Sequence, residues 1–333
     1  MLIIASIGPA SISKNILRDI INSGADILRL NFSHNRNEDF RFVVSAARSI
    51  NKNIHIMQDL CGSKIRVSKK LSKTFKVFKG QKVVFCSEEA YSNEFRNNKD
   101  ALVPITIKEK LIAEIESKFI TMKDNTMVFA VKKIEKNKVF CITKKGGIIR
   151  ADKGCNIKNI NRDDVLLSEK DKKDILWGYE NKVDIISQSF VESPIDIKNL
   201  KEYIKDFKDF NPKIYAKIES KKGIKNIREI ASICDGIIIG RGDLLPETSM
   251  YEVPFYEEYI LKKLKNYNTK IIFATHLLDS IIRDSSPKLP EIEAIYNIIK
   301  TRADGFLLAG ETSVGKYPVR AVKILKSLID KYE

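Results

Sequence analysis

Residues 213–243 read KIYAKIESKKGIKNIREIASICDGIIIGRGD. Two short apolar runs, Lys213–Glu219 and Gly236–Gly240, flank a helical segment, so the stretch predicts one β–α–β unit. Both runs end in charged residues, Lys217 and Glu219 in the first and Arg241 and Asp243 after the second. Six further runs of the same kind occur at Leu2–Ile7, Asp26–Phe32, Ile54–Asp59, Val183–Phe190, Lys270–Ala274 and Asp304–Ala309. Amphipathic patterns lie between most of them. In SISKNILRDIINSG (residues 11–24) a serine stands at an N-cap position and Gly24 at a C-terminal stop. Eight parallel strands alternating with helices is the count of an α/β fold closed into a (β/α)8 TIM barrel, whose chemistry gathers at the C-terminal strand ends.

One interval breaks the rhythm. After the third strand, residues 67–158 intervene before the next helix, expected near Ser168 in LSEKDKKDILWGYEN. A bare loop of that length is improbable in a compact domain. KTFKVFKGQKVVFC, NTMVFAVKKIEKNKVFCIT and KGGIIRADKGCNI read as β-rich hairpins with glycine turns. The expectation is a barrel of residues 1–66 and 159–333, carrying a small inserted β domain that acts as a lid.

Composition sets outer bounds. Hydrophobic content of 43% and charged content of 31% describe an ordinary globular chain. No run of eighteen apolar residues is present, so no membrane span is expected. MLIIASIGPAS at the N-terminus has neither a basic n-region nor a cleavage site and reads as a strand, not a signal peptide. Five scattered cysteines without a CxxC pair point to reduced thiols in a cytoplasm. The formal charge of +16 comes from lysines interleaved with acids, without the clustered footprint of a nucleic-acid binder. A positive surface would also steer anionic substrates.

In KIYAKIES, Lys217 and Glu219 are two apart on a strand and share a face. Such a pair is costly inside a barrel unless it is bridged or metal-bound; a simple structural bridge is the alternative. The next strand runs into GRGD, which places Asp243 on an adjacent strand about 5 Å from Glu219. Two carboxylates and substrate oxygens suit Mg2+, and Gly240 and Gly242 let backbone N–H groups approach an anion. Arg29, Asn31 and Ser33 of ILRLNFSH alternate on one face. Arg29 could clamp a phosphate, and Asn31 and Ser33 could ligate a cation or water, with Asp59 nearby at the end of IHIMQD. Each could equally be a satisfied polar group of the barrel interior.

SIGPAS, LRLNFSH, QDLCGSKIR, KGGIIRADKGCNI, LSEKD, AKIES, GRGD, FATHLLDS and LAGETSVGKYPVRAV follow one another along nearly the whole chain. In order and spacing they resemble the pyruvate kinases. The resemblance implies transfer of a phosphoryl group from phosphoenolpyruvate to ADP, giving pyruvate and ATP, with Mg2+ or Mn2+ as cofactor. It implies that Arg29 binds the phosphoryl group, Lys217 stabilises its charge in flight, and Glu219 and Asp243 hold the metal. The Gly242 and Asp243 amides would grip the substrate carboxylate, and Thr275 would sit near the methyl carbon that is protonated. Ser6, Pro9, His34, Arg66 and Lys153 match nucleotide-side positions. Asn31, Ser33, Asp59 and Lys64 match a monovalent-cation site or its replacement.

Departures from the family pattern are equally specific. Lys64 and Leu60 stand where many members carry glutamate and threonine, so the Lys64 ammonium could replace K+; an exposed lysine is the bland alternative. PKLPE (287–291) lacks the family's arginine, which puts the usual subunit contact in doubt, although a homo-oligomer through the barrel remains an expectation. GDLLPE alters the loop after Asp243, Ala309 replaces a serine, and His276 comes to the mouth of the site or is simply a surface histidine. The chain ends at Glu333, before the regulatory domain that usually follows, so the resemblance implies no effector control from such a domain. The leading expectation is a minimal, K+-independent pyruvate kinase. A paralogue with shifted substrate or direction in a biosynthetic pathway is the second reading, and a basic binding protein on a barrel scaffold the third.

Overall fold

The computed structural model of the protein describes residues 1–34, 37–94, 101–123, 125–160 and 167–333, except the side chains of residues 34, 37, 93 and 94. These residues form two compact units. One comprises Met1–Gly62, Leu166–Gly242 and Tyr251–Glu333; the other comprises Ser63–Val165 and Asp243–Met250.

The first unit is a closed parallel barrel, as the eight apolar runs predict. Its strands are β1 (Leu2–Ile7), β2 (Ile27–Asn31), β3 (His55–Leu60), β4 (Ile185–Gln188), β5 (Lys213–Ile218), β6 (Gly236–Gly240), β7 (Lys270–Ala274) and β8 (Gly305–Leu308). Each pairs with its neighbours in sequence, and β8 closes on β1 with Leu2 opposite Gly305. The intervening helices start and stop as their chemistry directs. Gly24, at φ +106°, follows the helix Lys14–Asn22 in a conformation that suits glycine. The Ser168 side chain caps Glu169–Glu180 by accepting the Asp171 N–H.

Period two along each strand writes the barrel interior in layers. One layer takes an apolar residue from every strand: Ile4, Ile27, Met57, Ile185, Tyr215, Ile238, Ile272 and Leu307, all buried together. Two residues further along come Ser6, Arg29, Asp59, Ser187 and Lys217 on β1 to β5, then Gly240, Ala274 and Ala309. The barrel therefore changes, within one side-chain layer, from an apolar plug to five polar positions beside three small ones.

Its opposite rim repeats a single device four times. Asp26, Asp184, Asp235 and Asp304 each precede an even-numbered strand. Their carboxylates accept the backbone N–H groups of Ile3, Ile56, Ile214 and Ile271 at 2.7–2.8 Å. The N–H of each aspartate donates back to the carbonyl of the same isoleucine. Each aspartate carbonyl then accepts the N–H that opens the next odd strand: His55, Lys213, Lys270 and, closing the ring, Leu2. Strand-start backbone groups that would otherwise lack partners are thus satisfied by a ring of side chains.

The second unit is built on a six-stranded sheet ordered Cys155–Ile157, Phe119–Met122, Met127–Glu135, Lys138–Lys145, Lys82–Cys86, Ala101–Pro104, with a separate pair Phe75–Val77 and Gly147–Ile149. Phe85 and Phe129 meet edge to face at 5.2 Å in its core. Of the three expected hairpins only Met127–Glu135 with Lys138–Lys145 forms. Phe75–Val77 pairs instead with Gly147–Ile149, and Cys155–Ile157 with Phe119–Met122. The sequence-local hairpins give way to pairings between distant strands because those bury the apolar faces of both partners.

Candidate active site

At the C-terminal strand ends the polar layer closes into one buried ionic network. Arg29 on β2 donates from Nε to Asp59 Oδ2 at 2.9 Å and from Nη1 to Ser6 Oγ at 2.7 Å. Lys217 on β5 reaches the same Asp59 oxygen at 3.4 Å, Ser189 Oγ at 2.9 Å and Glu219 Oε1 at 3.1 Å. Glu219 Oε2 accepts the Phe190 N–H at 2.9 Å. The Arg29 and Lys217 side chains are only 10% and 11% exposed, so both cations are held largely out of water. Burial pushes the Asp59 carboxyl up, but the charges of Lys217 and Arg29 outweigh it and hold the group below the usual carboxylate range.

This cluster displays two cations whose positions are fixed by carboxylates and hydroxyls, a geometry suited to receiving an anionic group. Lys217 and Glu219 converge as the alternation argument requires, although β5 ends at Ile218. The same argument fails for Ser33. Strand β2 ends at Asn31 and Phe32–His34 is a 3-10 turn, so Ser33 N–H donates to Asn31 Oδ1 at 3.1 Å while its hydroxyl faces Cys61 Sγ at 3.5 Å. Asp59 faces Arg29 and Lys217. Pro9 is exposed in the loop after β1, and the His34 side chain lies outside the described residues.

The turn after β7 is unusual. Thr275 and His276 both adopt left-handed backbone conformations, with φ of 66° and 50°. For non-glycine residues this costs about 1–2 kcal/mol each, and for a β-branched threonine it is a marked outlier. Thr275 Oγ1 accepts the Gly242 N–H at 2.7 Å. His276 Nδ1 pairs with Asp279 Oδ2 at 2.7 Å, and this hydrogen bond holds the Asp279 carboxyl below its ordinary range. Glu311 is buried beneath the turn and accepts the N–H groups of Leu278 and Ala309; burial raises its carboxyl despite those bonds. Arg241 packs against the same turn, a role that reading GRGD for its glycines and aspartate misses.

Strand β6 stops at Gly240, and Asp243 belongs to the helix Arg241–Glu247, not to a strand end as the sequence pattern suggests. A Cβ on Gly240 would come within 2.6 Å of Glu219 Cγ, so glycine there leaves that carboxylate its place.

In the second unit Asp243 receives Lys64 Nζ on both carboxylate oxygens at 2.6 Å. Gly154 makes room for this lysine: a Cβ there would meet Lys64 Cε at 2.8 Å. Arg66 Nη1 donates to the Asp152 carbonyl at 3.0 Å, and Lys153 Nζ donates to the Ile148 carbonyl. Burial, then the charges of Arg150 and Lys123, depress the Lys153 ammonium below its usual value.

Among the described residues no group of three His, Cys, Asp or Glu side chains forms a metal cage. Glu219 and Asp243 are hard oxygen donors, each already facing an ammonium group. Carboxylate oxygens of this kind are the donors that Mg2+ takes, with water and substrate supplying the rest of its ligands. No helix of the described residues is long and apolar enough to cross a membrane.

Comparison with known proteins bears directly on this arrangement. Residues 1–322 match the family described as pyruvate kinase, barrel domain. The chain is 33% identical over 322 residues to the pyruvate kinase of Mycoplasma genitalium, an alignment spanning 94% of this chain and 62% of that protein. It is 31% identical to the pyruvate kinase of Thermococcus litoralis (98% of this chain, 68% of the relative) and 31% identical to pyruvate kinase 2 of Synechocystis (99% and 56%). The chain thus covers a little over half to two thirds of the length of these relatives. The family match over residues 1–322 and the closed eight-stranded barrel agree: the chain belongs to the pyruvate kinase family.

Proposed function

We propose that the protein transfers a phosphoryl group from phosphoenolpyruvate to ADP, giving pyruvate and ATP, with Mg2+ or Mn2+ held by Glu219 and Asp243. The observation that carries this reading is the buried pair of cations, Arg29 on β2 and Lys217 on β5, both held by Asp59 on β3. Arg29 binds the phosphoryl group and Lys217 balances its charge as it leaves one oxygen for another. Phosphoryl transfer asks a protein chiefly for alignment and charge neutralisation, and buried, pre-positioned cations supply both. When bound, the divalent cation adds positive charge beside the phosphoryl and enolate oxygens. Gly242 and Asp243 amides hold the substrate carboxylate, and Thr275 lies on the side from which the enolate carbon is protonated. Ser6, Pro9, His34, Arg66 and Lys153 form the nucleotide side.

Activity is expected without K+. In support, Lys64 sets an ammonium group directly on Asp243, one of the two carboxylates assigned to the metal. The test follows pyruvate formation from phosphoenolpyruvate and ADP with Mg2+, with and without K+, using Lys217→Met as control. Turnover that needs Lys217 and not K+ supports the reading. Substrate binding without turnover turns it toward a family member working on a related phosphoenol substrate or in the opposite direction.

A further inference from the structure

Arg241 sits where GRGD leaves the barrel, and its side chain, 11% exposed, turns to backbone carbonyls. From Nε it donates to the Thr275 carbonyl at 2.9 Å, and from Nη2 to the carbonyls of both Thr275 and His276. Behind it lies the half-buried Glu257 carboxylate, 3.8 Å from Nε. These two carbonyls belong to the consecutive left-handed residues, Thr275 and His276. A guanidinium presents several donors in one rigid plane and can hold two successive carbonyls at once; a lysine cannot. The next residue after Arg241, Gly242, gives its N–H to Thr275 Oγ1 at 2.7 Å. Thr275 Oγ1 itself donates to the Ala274 carbonyl at 2.5 Å, so the strained turn is held by the Arg241 side chain at its carbonyls and by backbone on both sides of its hydroxyl.

We propose that Arg241 is a positioning residue that locks Thr275 in its left-handed conformation and so aims its hydroxyl at the methylene carbon of the enolate, where the enolate electron pair forms a C–H bond with a solvent-derived proton. Strain that persists at one residue needs surroundings that over-determine it, and such places recur at functional sites. Glu257 completes the device by balancing the guanidinium in its largely buried position. This inference rests on the role given to Thr275 above.

Two measurements test it. The first is amide hydrogen exchange at Gly242 in the full chain, followed by NMR in wild type and Arg241→Gln. Release of the turn frees Thr275 Oγ1, so exchange at Gly242 is expected to accelerate at least tenfold while β6 amides keep their protection. Unchanged exchange at Gly242 overturns the clamp, whatever the activity. The second is deuterium incorporation into the pyruvate methyl group with Mg2+ present, for Arg241→Gln made in wild type and in Thr275→Ala. A loss of 10- to 100-fold in the first background and less than threefold in the second is expected, with Arg241→Lys recovering part of the rate. Equal losses in both backgrounds show that Arg241 acts other than through Thr275 and overturn the proposal. A wild type that neither exchanges the methyl group nor turns over phosphoenolpyruvate removes the proposed reaction and with it the positioning role, while the amide measurement still decides whether the clamp exists.

Discussion

Replacing Asp59 by Asn removes one negative charge from between two buried cations and almost nothing else. The amide oxygen can still accept from Arg29 Nε, which now sits 2.9 Å from Oδ2. What is lost is the counter-charge to Arg29 and Lys217, whose side chains are 10% and 11% exposed. Removing one partner of a buried ion pair typically costs about 3–5 kcal/mol, because the remaining charge stays buried and uncompensated. Glu219 still faces Lys217 at 3.1 Å, which places the expected loss toward the lower figure. The pH dependence has a definite sign. Because the native Asp59 carboxyl lies below its ordinary value, the unfolded chain binds more protons at acid pH. The contribution of Asp59 is therefore complete above about pH 5 and declines as pH falls below about 3.9 toward the depressed native value. Wild type and Asp59→Asn should differ by about 3 kcal/mol at pH 7, and the gap should narrow steadily below pH 4. The single tryptophan supplies the assay. Trp177 is buried in the barrel unit against Phe32, with ring centroids 4.9 Å apart, so its fluorescence during urea unfolding reports that unit. A gap under about 1 kcal/mol at pH 7, or one that stays constant down to pH 3, would refute the claim that Asp59 is charged and compensates both cations; the threshold is set against the 3–5 kcal/mol expected of a broken buried pair.

The aspartate ring at the opposite rim makes a second prediction. Asp304→Ala deprives the buried Ile271 N–H of its 2.8 Å acceptor and should cost about 1–3 kcal/mol, whereas Asp304→Asn keeps an acceptor and should cost less than half as much; equal losses in the Trp177 assay would contradict the ring's role. Gly62 stands at φ +59°, and a Cβ there would lie 2.1 Å from the Ser189 carbonyl. Since Ser189 Oγ accepts from Lys217, Gly62→Ala should lower stability by more than about 1 kcal/mol and reduce the proposed phosphoryl transfer, and calorimetry beside the pyruvate assay checks both.

Reading the chain in periods of two recovers the barrel and most of the ionic cluster for one reason. The alternation that buries Ile4, Ile27, Met57, Ile185 and Tyr215 carries Ser6, Arg29, Asp59, Ser187 and Lys217 to the same interior two residues later. The core and the site are thus consecutive layers of a single pattern. That pattern is silent about where a strand stops. Alternation puts Ser33 and Asp243 on strand faces, but β2 gives way to a 3-10 turn at Phe32 and β6 to a helix at Arg241. Strand ends depend on which backbone groups find partners across the barrel, and those partners lie far away in sequence. The inserted unit is misread for the same reason: two of its three supposed hairpins pair with strands separated from them by tens of residues. The aspartate ring, by contrast, was open to inspection as ADIL, VDII, CDGI and ADGF, a repeat of one letter before each even strand.

Arg241 shows a different limit. Its partners are the carbonyls of Thr275 and His276, groups that every residue carries and no letter of the sequence distinguishes. A side chain that pairs with another side chain leaves two marks in a sequence, and their spacing can be tested against a strand or a helix. One that pairs with backbone leaves a single mark, which is lost in a chain of 59 lysines and arginines. What betrays it is the conformation it holds. Two successive non-glycine residues at positive φ require an external constraint, and the guanidinium against their carbonyls supplies it. If the site catalyses proton delivery at Thr275, the residue that fixes that hydroxyl is as consequential as the hydroxyl itself.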